Sequence, residues 1–563
     1  ALGSPGIDYT NLNTAVGSSF CEELARLGVE LAVVSPGSRS TPLALALERE
    51  PGITVEVILD ERSAAFFALG AANATGRPVA LVCTSGSAAA NYLPAVAEAD
   101  LSGVPLLLLT ADRPPELRGI GAGQAIDQVK LYGDAVRWFA EVGNPRGDDD
   151  GLLYVRQLAC RAFATAAGDP RPGPVHLNFP FREPLAPRPG GEPVTAEAEL
   201  ALEGRGSEPL ATVSEPLRLP TSKGLEDALA LLDGRSRIAI VAGRLSDPSA
   251  TDAAIALSEV LSSPILAEPT SQLRWGTHSK DTIIWGYDLI LRGAGGDAPP
   301  PPETVIRIGE TPTSAALRRW IAGLEEADQI MVRPEGDWYD PARLARVILR
   351  SDIGPTLERI GEKAESSSSR EYLDHWVSTQ EGLTPDSDVA GIHLAVAEAA
   401  PEESIVYTAS SLAVRDQETF LPTGPTEILF LANRGTNGID GLVASAAGAG
   451  LGSDRPVCVI TGDLGMVHDR ASLPLIRRSE AGVKVVVVND GGGRIFETLP
   501  AAAVLTEAEF ERLMLTPSAV SFEDLARTAG LDHLGVEDSE GLREALRKKG
   551  SLVVEYRLDR SSG

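Results

Sequence analysis

The feature that most constrains this chain is a recurring pair: a short apolar run of strand length, then a polar cluster at its carboxyl end. "VELAVVS" (29–35), "ITVEVIL" (53–59), "PVALVCT" (78–84), "VPLLLLT" (104–110) and "GPVHLNF" (173–179) alternate with Ala-rich helical patterns. Continuous apolar runs of this kind belong to strands covered on both faces, hence to parallel sheets flanked by helices. A second set follows: "RIAIVAG" (237–243), "SPILAEP" (263–269), "TVIRIGE" (304–310) and "DQIMVRP" (328–334). A third repeats the plan of the first, with "SIVYTAS" (404–410), "EILFLAN" (427–433), "RPVCVIT" (455–461), "VKVVVVN" (483–489) and "GSLVVEY" (550–556). The predicted fold class is α/β, with three doubly wound, mostly parallel-sheet domains.

A chain of 563 residues is too long for one core. Pro, Gly and Glu break the pattern after the first set, and a Ser-rich polar stretch breaks it after the second. The expected domains are 1–188, 221–365 and 386–563, with linkers at 189–220 and 366–385. No apolar run approaches the roughly 18 residues of a membrane span, so no membrane insertion is expected. The first residues carry neither a basic region nor an apolar signal core, and the four cysteines form no CxxC pair. A cytoplasmic location fits. A formal charge of −29 argues against nucleic acid or an anionic membrane as partner.

In open α/β sheets, ligands sit outside the carboxyl ends of the strands. "SPGSRS", "DERS", "TSGS" and "TADRPPE" follow strands of the first set; "ASSLAVRD", "NRGTNGIDG", "TGDL" and "NDGGG" follow strands of the third. Each has a plain alternative. Ser40 or Thr41 serves as a helix cap, and Glu61 in a first helical turn complements the dipole. Arg113 has an ion pair to Asp112 or Glu116 as its structural alternative, and His468 and Asp469 read as helix surface. The glycine-rich "AAGAGLGSD" does not follow a strand as a dinucleotide loop would. Together, however, Asp463, the side-chain oxygen of Asn489 and the carbonyl of Gly491 form a hard-oxygen set suited to Mg²⁺. One carboxylate cannot neutralise that ion, so phosphate oxygens should complete the shell. The glycines after Asn489 let backbone approach phosphates closely.

"GDL" followed by "ND" resembles the metal motif of thiamin-diphosphate (ThDP) enzymes. "SPGSRSTPL", "DERSAAFFALG", "TSGSAAANYLPAVAEA", "LLLTADRPPEL", "GAGQAIDQ", "SSLAVRD", "NRGTNGIDG" and "GGGRIFETLP" are similar, in order along the chain, to the 2-succinyl-5-enolpyruvyl-6-hydroxy-3-cyclohexene-1-carboxylate synthase family of menaquinone biosynthesis. The resemblance implies domains of the ThDP decarboxylase/carboligase type, pyrimidine-binding at 1–188 and diphosphate-binding at 386–563. It implies decarboxylation of 2-oxoglutarate and 1,4-addition of the resulting carbanion to isochorismate. The alternative within the superfamily is another 2-oxoacid decarboxylase or an acetolactate-type synthase.

Residue by residue, the resemblance makes Glu61 the partner of the cofactor's pyrimidine N1′, a carboxyl expected to be sheltered from water. Arg39, Gln124 and Arg415 join it as catalytic candidates. Ser38, Arg39, Gln124, Ser411, Arg415 and Arg434 become substrate contacts, with Ile495 and Phe496 as apolar walls. Both substrates are dicarboxylates, which arginine grips bidentately. Thr84, Ser85, Gly86 and Ser410 fall to the cofactor, as do Gly438 and Ile439. Gly462, Asp463, Leu464, Asn489, Gly491, Gly492 and Ile495 complete that set. The metal is Mg²⁺, with Mn²⁺ as the alternative, held by Asp463, Asn489 and Gly491. A dimer or tetramer with active sites between subunits is implied. Where the family often carries a lysine in the central domain, this chain has Ala315 and Ala316, with Arg318 and Arg319 just beyond.

Overall fold

The computed structural model of the chain describes residues 8–168, 171–335, 338–364, 369–384 and 387–558. Among them, three six-stranded sheets form, and their pairings are parallel. The first contains β1 (Leu31–Val34), β2 (Thr54–Val57), β3 (Val79–Cys83), β4 (Leu106–Asp112), β5 (Trp138–Glu141) and β6 (Pro174–Pro180), in the order β2-β1-β3-β4-β6-β5. The second contains β7 (Ile238–Ala242), β8 (Ile265–Ala267), β9 (Ile283–Ile284), β10 (Thr304–Ile308), β11 (Asp328–Val332) and β12 (Val347–Leu349), in the order β12-β11-β10-β7-β8-β9. The third contains β13 (Ser404–Thr408), β14 (Ile428–Leu431), β15 (Val457–Gly462), β16 (Val483–Asn489), β17 (Asp532–Val536) and β18 (Leu552–Arg557). Its order, β14-β13-β15-β16-β18-β17, is that of the first sheet.

Every apolar run read from the sequence is a strand. The strands it missed are β5, β9, β12 and β17, and each is a sheet edge. An edge strand is covered less completely, so its composition need not be apolar: β17 reads "DHLGV" and is mostly half-exposed. Inner strands such as β3, β4 and β6 are buried at every residue.

Two stretches expected to be linkers carry structure. Residues 189–220 hold the short helix Glu199–Glu203. Residues 366–385 hold the helix Arg370–Glu381, whose Tyr372 and Trp376 join the apolar core beside β7 and β10. The polar face of that helix dominates its composition, which hid the core-facing residues. The four cysteines are buried and unpaired, and burial pushes the Cys458 thiol up to about 12. Among the described residues, no helix is long and apolar enough to cross a membrane.

The chain forms two compact units. One joins Ala1–Glu215 with Asn433–Asp454 and His468–Val483; the other comprises Pro216–Ala432, Arg455–Val467 and Lys484–Gly563. In the first, the helices Glu61–Thr75 and Leu442–Ser453 lie in close contact. The second helix is the glycine-rich "LVASAAGAGLGS". A Cβ on Gly70 would lie 1.8 Å from the Ser445 carbonyl oxygen, and one on Gly448 would lie 1.9 Å from that of Phe67. Those glycines serve close helix packing, not a nucleotide loop.

Candidate active site

In the first unit the strand order reverses between β1 and β3, which marks the ligand crevice of such a sheet. The two following turns interlock: a Cβ on Gly37 would sit 2.3 Å from that of Thr84. Thr84 and Ser85 are buried. The Ser85 hydroxyl donates to the Gln124 carbonyl at 2.8 Å, and the Gly86 amide donates to Gln128 Oε1 at 2.9 Å. Gly86 needs its φ of +89° to make this turn. Gln124 itself is exposed, and is held at a left-handed φ of +56°. Behind it, Gln128 Nε2 donates to Asn178 Oδ1 at 3.0 Å, and Asn178 Nδ2 donates to Asp112 at 2.9 Å.

Arg39 is only 6% exposed. Its Nη1 donates to the Phe181 carbonyl at 2.9 Å, and its buried Nε meets no partner within the chain. Burial, and then the nearby Arg113, lower its pKa. Its Nη2 lies 3.5 Å from the exposed Glu183 carboxylate, which leaves the buried Nε, with a second cation nearby, open to a further anion. Arg113 does not form the ion pairs considered for it. Arg118 takes Asp112 at 2.8 Å, Arg182 takes Glu116 at 2.6 Å, and Arg113 Nε donates to the Gly123 carbonyl. Ser38 is exposed at the same strand end.

Glu61 opens the helix Glu61–Thr75, whose N-cap is Asp60. It is half-buried and lines a cleft of about 780 Å³ with Ser63, Asn91 and Arg478 among others. The expected shelter from water is thus incomplete. Glu61 follows β2, an edge strand, and its own sheet places nothing beyond it. Arg434, Gly438 and Ile439 occupy the loop before the helix Leu442–Ser453 and are half-buried.

In the second unit, β15 lies between β13 and β16. Asp463 starts a helix directly at its end and is 4% exposed. Burial raises its pKa, against the opposing pull of the Leu464 and Gly492 amides. The Leu464 amide donates to its Oδ1 at 2.7 Å. A Cβ on Gly462 would meet no atom within 4 Å, so this glycine fronts open space. Asn489 Nδ2 donates to Glu555 Oε1 at 2.7 Å, which turns the side-chain oxygen the other way. Gly491 is exposed with φ +84°, as a backbone ligand requires. Gly492 has a different reason from the one expected: a Cβ there would lie 2.3 Å from the Leu515 carbonyl oxygen. Ile495 and Phe496 are half-buried just beyond.

Ser410 is buried, and Ser411 sits at φ +76° and ψ −136°, a conformation costly for any residue but glycine. Its carbonyl accepts from Arg415 Nη1 at 2.6 Å. Burial, and then the charge of Arg318, lower the pKa of Arg415. The Arg318 guanidinium is anchored on the carbonyls of Pro312 and Thr313 at 3.0 and 2.6 Å. Arg318 therefore stands near Arg415, one helical turn past Ala315.

The oxygen set of Asp463, Asn489 and Gly491 fits a hard divalent cation whose remaining ligands come from a diphosphate. Among the described residues, no three His, Cys, Asp or Glu side chains gather as a protein-only metal centre. Sequence reasoning missed three carboxylates that hold candidate site segments: Glu98 and Asp469, which bond the segment 435–444, and Glu555, which bonds Asn489. Asp469, expected on a helix surface, is fully buried. Glu555 left a legible signal, a lone acid inside an apolar strand.

Residues 14–131 match the family described as thiamine pyrophosphate enzyme, N-terminal TPP binding domain, and residues 421–555 match its C-terminal TPP binding domain. Thiamine pyrophosphate is another name for ThDP. Curated proteins named 2-succinyl-5-enolpyruvyl-6-hydroxy-3-cyclohexene-1-carboxylate synthase are similar over nearly the whole length. The protein of Oceanobacillus iheyensis is 38% identical over 98% of this chain and 96% of its own. That of Haloarcula marismortui is 37% identical over 98% and 96%, and that of Geobacillus thermodenitrificans 39% over 98% and 94%. With both cofactor-binding regions matched and the likeness running through the sheet between them, the chain belongs to the 2-succinyl-5-enolpyruvyl-6-hydroxy-3-cyclohexene-1-carboxylate synthase family of ThDP-dependent enzymes.

Proposed function

We propose that the protein joins 2-oxoglutarate to isochorismate by decarboxylation and 1,4-addition, releasing CO₂, as a step of menaquinone biosynthesis. The single observation that carries this reading is the placement of arginines in an otherwise acidic protein. Arg39 is buried with an unpartnered Nε facing Arg113, and Arg415 is half-buried against Arg318. The exposed Glu183 carboxylate 3.5 Å from Arg39, and Asp416 beside Arg415, answer these cations only in part, and both substrates are dicarboxylates. A pyruvate-specific relative needs fewer such cations.

Asp463, Asn489 and the Gly491 carbonyl would hold Mg²⁺, or Mn²⁺ in its place, with Gly462, Leu464 and Gly492 beside the diphosphate. ThDP, when bound, supplies the electron sink for carbon–carbon bond cleavage and formation. Glu61 would hold the proton at the pyrimidine N1′. Thr84, Ser85, Gly86, Ser410, Gly438 and Ile439 would shape the cofactor's seat. Ser38, Gln124, Ser411 and Arg434 would orient substrate, with Arg318 assisting Arg415. Ile495 and Phe496 would exclude water. The half-open cleft at Glu61 is consistent with at least a dimer in which a second copy covers it. A cytoplasmic setting agrees with the reduced cysteines.

Incubation with ThDP, Mg²⁺, 2-oxoglutarate and isochorismate, followed by product mass, tests the reading. The expected product carries both carbon skeletons less one CO₂. Preference for pyruvate over 2-oxoglutarate would overturn it in favour of an acetolactate-type synthase.

A further inference from the structure

The loop that carries Arg434, Gly438 and Ile439 has a buried acid at each end. Glu98 lies mid-way along the helix Leu93–Ser102 and is 1% exposed. Carboxylates are almost never buried so fully without partners. Its oxygens accept from the Gly435 amide at 2.8 Å, the Thr436 amide at 2.7 Å and the Thr436 hydroxyl at 2.8 Å. Ser102 Oγ adds a fourth donor at 2.6 Å. Gly435 is pressed onto the same helix: a Cβ there would lie 2.8 Å from both the Glu98 carbonyl oxygen and Ser102 Oγ.

At the other end, the helix Leu442–Ser453 has Gly441 as its N-cap, which has no side chain to accept its first amides. A side chain there is sterically barred, because a Cβ on Gly441 would fall 1.9 Å from the ring of Phe66. Asp469 supplies the missing cap from elsewhere in the sequence. Its Oδ2 accepts from the Val443 and Ala444 amides at 2.7 and 3.1 Å. Its Oδ1 accepts from Ser472 Oγ at 2.7 Å, and that hydroxyl lies 2.9 Å from Ser63 Oγ, two residues after Glu61.

We propose that Glu98 and Asp469 are positioning residues that clamp the two ends of the segment 434–444 and so fix where Arg434 and Ile439 stand for their ligands. Neither acid touches substrate or cofactor. Neutral isosteres would keep their shape but lose the charge-assisted bonds, which are the stronger class. The assignment rests on the reading of Arg434 as a substrate contact, and the test separates the two claims.

Glu98→Gln, Arg434→Ala and the double variant are compared as enzymes reconstituted with ThDP and Mg²⁺. Hydrogen exchange reads the clamp directly. Glu98→Gln is expected to speed exchange across 434–444 by about tenfold or more, the effect of losing bonds to a charged group. Unchanged exchange overturns the clamp, whatever the activity. The KM values read its link to substrate. Glu98→Gln should raise the KM of the same substrate as Arg434→Ala, and the double variant should lose little beyond Arg434→Ala. Effects that multiply in full would reduce Glu98 to general stability and overturn the positioning role. An Arg434→Ala enzyme with both KM values unchanged would refute the substrate reading alone, leaving the clamp to be judged by exchange. Gly435→Ala, which disturbs the seat without touching a charge, should reproduce the exchange change if Glu98→Gln proves poorly folded.

Discussion

The first and third sheets share one strand order but carry their key acids differently. Glu61 follows β2, an edge strand, and is half-exposed; Asp463 follows β15, an inner strand, and is buried. An inner strand end is flanked by two neighbours of its own sheet, which for Asp463 supply Ser410 and Asn489. An edge strand end has one such neighbour, and its other side must be completed from outside the sheet. The two acids therefore stand in different settings, one enclosed by its own sheet and one open on a side that its sheet does not cover.

The largest test of this contrast is Glu61→Gln. Turnover should fall about 10³-fold, within the range of a lost proton-transfer group, while ThDP affinity measured by calorimetry changes little. Asp463→Ala should do the reverse and weaken Mg²⁺–ThDP binding by more than the roughly 100-fold lost with an outer-shell partner. Saturation at the wild-type ThDP concentration would remove Asp463 from the cage.

A pH test bears on the acid that links the Glu61 helix to its neighbour. Burial pushes Asp469 up to about 6 in spite of its Ser472, Ala444 and Val443 donors and nearby Arg62. A carboxyl raised above its unfolded value of 3.8 binds its proton more tightly in the fold. Its contribution is therefore full below the unfolded value and lost as pH rises through about 6. Relative to the non-titrating Asp469→Asn, wild type should gain up to roughly 3 kcal/mol between pH 7 and pH 4 in thermal unfolding. A flat difference across that range would contradict it.

A smaller effect is expected at Glu555, which accepts from Asn489 of the proposed metal set. Glu555→Ala should raise the Mg²⁺ needed for half-activation about tenfold, and no change would mean that Asn489 orients without it. Smallest is Ser411→Gly, which relieves a backbone conformation worth about 1 kcal/mol of strain or more. Its thermal midpoint should rise while the KM of one substrate worsens; a lower midpoint would show that the serine side chain outweighs the strain.

The inner strands were legible because burial on both faces forces them to be apolar throughout. Of the missed edge strands, β17 escaped that constraint, whereas β9 and β12 are apolar but only two and three residues long, and β5 spans only four, too short to stand out as runs. The same logic governs the site. Asp463, Asn489 and Arg39 stand at strand ends, where position alone raises suspicion. Asp469 was missed because its meaning depends on Gly441 and Phe66, far away in sequence. A cap that a helix borrows from another part of the chain cannot be found by reading the helix's own N-terminus. Arg318 was visible as a residue type, but only the fold places it near Arg415.

The borrowed cap also bears on how the protein is made. The unit that holds Glu61 draws on stretches far apart in sequence, with Ser63 bonded to Ser472 across 409 positions and Glu98 to Thr436 across 338. During synthesis the first sheet can form early, yet its partner helix Leu442–Ser453 and the groups that bond Ser63 and Glu98 emerge only after the whole second sheet has been made. Until then the apolar face of the Glu61 helix must wait uncovered, which makes it the expected point of chaperone engagement for a nascent chain of this family.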